Sequence, residues 1–386
     1  MNFGIICEFN PFHAGHRYLL DSARGLGAEN IICAMSGNAV QRGELAIADK
    51  YGRAKSAIEN GADLVLELPF PWSSASAEYF ALAGIKALAP FCDAIIFGSE
   101  CGDIEILKRA ASSALTEDFC DALEKRKKNG EGSAAAYFSL IEESVGVKLS
   151  SNDILGVEYI KAAKKIGAEL EFYTVKRMGS AYRDNNIQEG KFPSASAIRL
   201  AIRSGEDVSE HIDDSLASAI ESGTLTDVKN IERALLLHFR LCDASELSEY
   251  AECDGGIAER ICSAARNSAD IEELWRSVRT KRYTDAKLNR AMIFALARVR
   301  RELLLSTPEY LYLLAANERG RAVISGAKRS KRVNESAIRI VTKPADVMRE
   351  SEQFRVEERL NALFSLSTDK AFAMSEAYKK KAFIIK

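Results

Sequence analysis

The stretch Gly4-Ile5-Ile6-Cys7-Glu8-Phe9-Asn10-Pro11-Phe12-His13-Ala14-Gly15-His16-Arg17 passes from an apolar run to a helical pattern within a few residues. Phe3–Cys7 reads as a buried strand, and Tyr18, Leu19, Leu20 and Ala23 recur at helical spacing. The two histidines therefore stand on a strand-to-helix turn. Such a turn aims free backbone N–H groups and the positive end of a helix dipole at whatever lies above the sheet, which favours phosphate. Pro11 fixes the entry of the chain, and Gly15 removes the Cβ that would block a phosphate from the backbone.

Outward from this turn, the first half of the chain alternates short apolar strands with helical stretches. Strands are predicted at Phe3–Cys7, Asn30–Met35, Asp63–Glu67, Ala94–Phe97 and Glu169–Tyr173. Helices are predicted at Gly15–Arg24, Asp49–Asn60, Ser76–Ala87, Ile104–Ala114 and Asp153–Ile166. That order predicts an α/β fold, a Rossmann-like doubly wound parallel sheet, with ligands at the strand C-terminal ends. Polar clusters follow three of those ends: His13/His16, Ser36-Gly37-Asn38 and Gly98-Ser99-Glu100. Residues 117–147 read as a polar helical insertion broken at Asn129-Gly130-Glu131-Gly132.

After about residue 206 the strand signal almost vanishes. Leu216–Ile220, Val228–Leu241, Glu246–Ala265 and Asp285–Leu305 carry helical periodicity, and Ala337–Val341 reads as one returning strand. The expectation is a catalytic domain over 1–205 and a mainly α-helical domain over 206–386. A chain of 386 residues is long for one core.

Composition excludes several classes. With 47% hydrophobic and 28% charged residues and a formal net charge of -2, the composition is ordinary for a globular protein and nothing suggests disorder. No apolar run approaches a membrane span, and no basic segment precedes the first strand, so no membrane association is expected and the cytoplasm is the expected compartment. The eight cysteines include no C-x-x-C pair, which leaves no zinc knuckle or redox dithiol to expect. Cys7 has no dedicated histidine base, so a thiol nucleophile is not expected.

His13-Ala14-Gly15-His16 is the H-x-G-H signature of a nucleotidyl-transfer site. A single short motif recurs by chance, but this one follows the first strand and holds half of the histidines in the chain. Further runs extend the pattern. They are Met35-Ser36-Gly37-Asn38, Gln41-Arg42-Gly43-Glu44, Gly61-Ala62-Asp63-Leu64-Val65-Leu66-Glu67-Leu68-Pro69, Phe97-Gly98-Ser99-Glu100, Ser151-Asn152-Asp153-Ile154-Leu155-Gly156, Val175-Lys176-Arg177 and Ser194-Ala195-Ser196-Ala197-Ile198-Arg199. In that order they resemble the bacterial tRNA(Met) cytidine acetate ligases of the nucleotidyltransferase superfamily.

The resemblance implies a ligase that activates acetate with ATP, with Mg2+ as an accompanying ion, and transfers acetyl to N4 of the wobble cytidine of elongator tRNA(Met). It implies ATP contacts at Gly4, Ile5, Ile6, Cys7, Glu8, Phe9, Asn10, Pro11, Phe12, His13, Ala14, Gly15, His16 and Arg17, and at Gly98, Asn152 and Arg177. His13 and His16 are the expected catalytic pair. Two positions depart from the usual pattern: Ala14 stands where an amide or basic residue is common, and Asp153 where a second Asn is frequent.

Chemistry supports the pairing of roles. Attack on an α-phosphorus builds charge on phosphoryl oxygens, so preorganised donors matter more than a base. Two imidazoles suit that task, and Arg177, after a strand, reads either as a surface arginine on a polar loop or as a two-point phosphate clamp, the role that the resemblance implies. Asn152 either contacts ribose or caps the helix that follows, and Asn10 either holds the turn or faces nucleotide. Ser194 and Ser196 open a helix carrying Arg199, and its start faces phosphate or is simply capped. Gln41 and Arg42 are candidate substrate contacts.

The nine basic residues of Arg276–Arg301 (Arg276, Arg279, Lys281, Arg282, Lys287, Arg290, Arg298, Arg300 and Arg301) face one acid there, Asp285, and Lys328-Arg329-Ser330-Lys331-Arg332 adds a second cluster. They read equally as a phosphate-backbone surface or a solvated helix face, and the implied RNA partner favours the first. Two other readings share part of the evidence: a small-molecule adenylyltransferase of coenzyme biosynthesis, and a non-catalytic RNA-binding protein on a nucleotide fold.

Overall fold

The computed structural model describes residues 1–177, 193–280, 282–327, 338–347 and 350–385. Strand β1 (Asn2–Cys7) leads into helix α1 (Ala14–Gly25), then β2 (Asn30–Ser36), a small hairpin β3 (Ala39–Val40) and β4 (Glu44–Leu45), α2 (Lys50–Glu59) and β5 (Leu64–Leu68). Next come α3 (Ala77–Leu88), β6 (Ala94–Ser99), α4 (Ile104–Ser113), α5 (Glu117–Lys128), α6 (Ser133–Val145), α7 (Ser151–Ile166) and β7 (Glu171–Lys176). Every predicted strand and helix of the first half is present, with ends shifted by at most a few residues. The predicted break at 129–132 separates α5 from α6.

The helical region holds α8 (Ala195–Ser204), α9 (Asp214–Ser222), α10 (Glu232–Leu241), α11 (Ala244–Leu247), α12 (Ile257–Asn267), α13 (Ile271–Val278), α14 (Asp285–Ala297) and α15 (Arg301–Leu305). Two helices expected to be continuous are broken. Glu246–Ala265 divides at 248–256, where Gly255 and Gly256 both have positive φ, and Asp285–Leu305 divides at Arg298, which takes φ +54. The chain then forms β8 (Tyr310–Ala316), α16 (Glu318–Ala327), β9 (Arg339–Val341), α17 (Glu352–Ser367) and β10 (Phe383–Ile384). The predicted strand at 337–341 is β9; Ala337 lies outside the described residues.

The main sheet runs β10-β8-β5-β2-β1-β6-β7, with β9 beside β8. All of its pairs are parallel except β5–β8. The sheet is thus doubly wound as expected, but β8, β9 and β10 come from residues assigned by sequence to the helical half. All seven side chains of β8 and all five of β5 are buried, the mark of strands covered on both faces. Apolar layers cover both faces of the sheet, and α10 to α14 enclose a separate core around Phe239, Ile257, Ile261 and Leu274.

Candidate functional site

Two residues past β1 the chain turns sharply. Phe9 takes φ +45, and the Asn10–Pro11 peptide is cis. His13 then caps α1: its Nδ1 accepts from Gly15 N at 3.0 Å, while His16 Nδ1 accepts from His13 N at 3.3 Å. Both Nδ1 atoms are acceptors, so each neutral ring carries its proton on Nε2. The rings stack, with centroids 3.8 Å apart, and Phe9 and Phe12 pack on His16 at 4.9 and 5.6 Å.

Burial keeps both rings neutral. It is the main cause of a His13 pKa lowered to about 3, with the positive charges of Arg177 and Arg199 adding to it. His16 is pushed down by burial, then by His13 and Arg177. The pair therefore offers two N–H donors at neutral pH without a cationic charge. Gly15 serves the stack directly: a Cβ there would lie 2.9 Å from His13 Cε1.

The residues around the motif divide into scaffold and surface. Ile5 and Ile6 are core side chains, and a Cβ at Gly4 would meet Ile95 at 2.8 Å and Cys92 at 2.9 Å. Any contact from Gly4, Ile5 or Ile6 to a ligand runs through backbone. Burial pushes the Cys7 thiol well up, as suits a packed rather than a reactive cysteine. Of the two readings of Asn10, the buried amide takes the scaffold role, with Oδ1 accepting from Ile47 N at 2.7 Å. Arg17 and Ala14 are exposed, Arg17 lying 3.9 Å from Asp21.

A second group gathers after β6 and β7, whose ends lie side by side (Gly98 opposite Val175, Ser99 opposite Lys176). A Cβ on Gly98 would lie 3.2 Å from Arg177 Cγ. Asn152 Nδ2 donates to Glu100 Oε1 at 2.6 Å, and Arg177 Nε lies 3.4 Å from the same oxygen. Helix α7 is capped instead by Ser150 and Asp153, whose Oδ2 accepts from Ser150 N at 2.7 Å. Asn152 is thereby free of capping, and Asp153, buried and also bonded to Cys101 N, is structural. Glu100 is the residue that sequence reasoning left without a role. Its Oε2 is buried without a hydrogen-bond partner.

A third element closes on the turn. Ser194 caps α8 through Ala197 N, and Arg199 Nη1 donates to Asn10 O at 2.7 Å while Nη2 reaches Ser196 Oγ at 3.2 Å. The β3–β4 hairpin lies on the other side: Glu8 Oε1 accepts from Gln41 N at 2.9 Å, and Gln41 Nε2 donates to Ala75 O at 3.3 Å. Burial raises the Glu8 carboxyl, against the Gln41 amide and the charges of Arg199 and Arg42. Sequence reasoning missed Arg53. Buried under the turn, it donates to the carbonyls of Ala48, Glu8, Ser36 and Gly37 and so ties the ends of β1 and β2 together.

The basic stretch differs from the sequence expectation. Arg290 is buried and pairs with Glu252 at 3.0 Å, Lys287 with Asp254 at 3.1 Å, Arg300 with Glu249 at 3.2 Å, Arg279 with Asp285 at 3.0 Å and Arg301 with Asp254 at 3.6 Å. Acids distant in sequence thus neutralise much of the cluster. Lys281 and the 328–332 cluster lie outside the described residues. Among the described residues no group of three His, Cys, Asp or Glu side chains is placed to hold a metal ion, and no helix is long and apolar enough to cross a membrane.

A doubly wound sheet bearing stacked, neutral H-x-G-H imidazoles at the end of its first strand defines a nucleotidyl transferase. The HIGH Nucleotidyl Transferase family matches over residues 1–379. The tRNA(Met) cytidine acetate ligase of Syntrophotalea carbinolica is 35% identical over 86% of this chain and 83% of its own length, and that of Caldicellulosiruptor saccharolyticus is 36% identical over 84% of each. Thermotoga maritima TmcAL, in crystal structures of the apo protein and of a complex with alpha-thio ATP, superimposes with a TM-score of 0.88 at 29% identity over 100% of this chain and 99% of its own. The chain belongs to the HIGH nucleotidyl transferases and, within them, to the tRNA(Met) cytidine acetate ligase family.

Proposed function

We propose that this protein is an ATP-dependent ligase that acetylates N4 of the wobble cytidine of elongator tRNA(Met), through an acetyl-adenylate formed at the His13/His16 turn. The observation that carries the reading is the pair of neutral imidazoles, each with Nε2–H free to donate, at the N-terminus of α1. Acetate oxygen attacks the α-phosphorus, the bond to the β-phosphate oxygen breaks, and pyrophosphate leaves. Donors fixed in advance stabilise the charge on those oxygens without reorganising. Neutral donors do so without forming a tight ion pair with the departing pyrophosphate.

The remaining residues take roles that match their positions. Arg177 and Arg199 supply guanidinium charge on either side of the imidazoles. Gly98, without a Cβ, lets Arg177 pack close to the end of β6, where ribose or base rests, and the unpartnered Oε2 of Glu100, with Asn152 beside it, is an acceptor suited to a ribose hydroxyl. The backbone from Gly4 to Arg17 lines the nucleotide. A Mg2+ accompanying ATP would be held mainly by the phosphates, with Glu100 as the carboxylate near enough to assist, and would offset charge on the phosphoryl oxygens. In the second step N4 attacks the acetyl carbonyl, AMP leaves with the bridging oxygen, and N4 gives up a proton.

Residues 1–205 carry the nucleotide chemistry in this reading, and the helices after 206 meet the tRNA, which places the work in the cytoplasm. A small-molecule adenylyltransferase would leave the helical region without a task. Incubation with ATP, radiolabelled acetate and unmodified tRNA(Met), followed by nuclease digestion, should yield labelled N4-acetylcytidine. Label confined to a small-molecule product would refute the proposal.

A further inference from the structure

The helical region carries a concave, arginine-lined cleft apart from the nucleotide turn. It has a volume of about 470 Å³ and is lined by Arg298 and Arg300 from the turn between α14 and α15, Arg355 and Arg359 from α17, with Tyr250, Glu350 and Glu352. The walls are fixed. Arg298 holds the left-handed turn that ends α14, Arg359 Nη1 donates to Ala297 O at 3.1 Å, and Tyr250 pairs with Arg300 through an antiparallel bridge.

Four guanidinium groups face two lining carboxylates. Arg300 is further offset by Glu249. Arg298 and Arg355 are exposed, and neither has a side-chain hydrogen bond or ion pair among the described residues. Four surface arginines gathered in one cleft, two of them unpaired, outnumber the acids beside them and repel one another, a charge excess that suits an anionic ligand. Planar guanidinium forks suit phosphate oxygens in two-point geometry.

We propose that this cleft binds the sugar–phosphate backbone of the tRNA, with Arg298 and Arg355 as the contacts to phosphate. The proposal rests on the functional reading above and adds where the RNA lies. The geometry links the cleft to the reaction centre. A Cβ on Gly43 would collide with the Arg290 backbone N, so the β3–β4 hairpin sits directly on α14, and its Gln41 is bonded to Glu8 of the catalytic turn. From Arg290 to Arg298 a helix rises about 12 Å. The hairpin and this stretch of α14 thus join the turn to the cleft without a break, and a tRNA with its wobble base at the turn can rest its backbone there.

The test is a salt titration of tRNA binding, using an unmodified elongator tRNA(Met) transcript and the full-length protein. The Arg298→Ala/Arg355→Ala variant should lose two phosphate contacts. Its log–log salt slope should be shallower by roughly 1.4 to 1.8, which at 0.1 M salt corresponds to binding weaker by roughly twenty-five- to sixty-fold. The Arg298→Lys/Arg355→Lys variant should recover most of the slope, and thermal unfolding of both should match the wild type because neither arginine is paired. Unchanged affinity and slope in the alanine variant, with wild-type protein binding and acetylating the transcript, would overturn the cleft alone. Wild-type protein that binds no tRNA would overturn the functional reading as well. A variant that keeps tRNA binding but loses binding to polyglutamate would make the cleft a protein-docking face and overturn the proposal.

Discussion

His13 does two jobs with two nitrogens. Nδ1 caps α1, and Nε2–H is left for the ligand. Asparagine is a good N-cap but has no group where Nε2 stands. His13→Asn is expected to unfold at nearly the wild-type temperature and to lose most acetate-dependent pyrophosphate release, whereas His13→Ala should lose the chemistry and about 1 kcal/mol of stability as well. Thermal melts beside a pyrophosphate assay separate the two; full activity in His13→Asn would make the ring a cap only. The motif was legible in sequence because it is local. The capping role was not, because it depends on which ring nitrogen faces the backbone. Glu100 was likewise hidden: its value comes from Asn152 and Arg177, brought to one oxygen by the β6–β7 register.

At the scale of elements, β1 and β2 are joined by more than their ladder. Arg53, on α2, donates to carbonyls at the ends of both, as well as to Ala48 O. Arg53→Met leaves those buried carbonyls unpaired and is expected to cost about 3 kcal/mol in urea unfolding; a change within error would show the carbonyls satisfied another way. The packing of α17 on β8 carries a pH dependence. Burial, then the charge of Glu67, raises the Glu357 carboxyl to about 8, against Lys50 and hydrogen bonds from Tyr310 and Gln353. The folded protein binds this proton more tightly than the unfolded chain, so this contribution is full below the ordinary carboxyl range near 4.5 and is lost as pH rises towards 8. Glu357→Gln should flatten that decline, which reaches ~1.4 kcal/mol per pH unit at most; equal slopes in the two proteins would assign the decline elsewhere.

Elements of the first half were readable because strand and helix periods alternate cleanly there. Tyr310–Ala316 was missed because a continuous apolar run fits a buried strand and a buried helix equally. Its pairing with β5, β9 and β10 decides. The acids facing Arg276–Arg301 were hidden for a related reason: Glu249, Glu252 and Asp254 stand before α12 in the chain but pair in space with Arg300, Arg290 and Lys287.

For the molecule as a whole, the sheet is not finished by its first 205 residues. Leu64–Leu68 pairs on one edge with β2 and on the other with β8. A fragment ending at Gly205 leaves that second edge open and the apolar face beside β8 uncovered. It is expected to aggregate on expression, and to yield no cooperative melt; a soluble, two-state fragment would show that the N-terminal half is self-sufficient.

The late arrival of β8 also bears on synthesis. Roughly 130 residues separate β7 from β8, and a ribosome adding 5–20 residues per second takes roughly 7 to 26 seconds to supply them. Through that interval the nascent chain displays Leu64-Val65-Leu66-Glu67-Leu68 as a bare strand edge, the kind of template on which two unfinished chains of one polysome can pair. Codon choice and chaperone access between Arg177 and Glu309 therefore bear on yield, while leaving the finished enzyme unchanged.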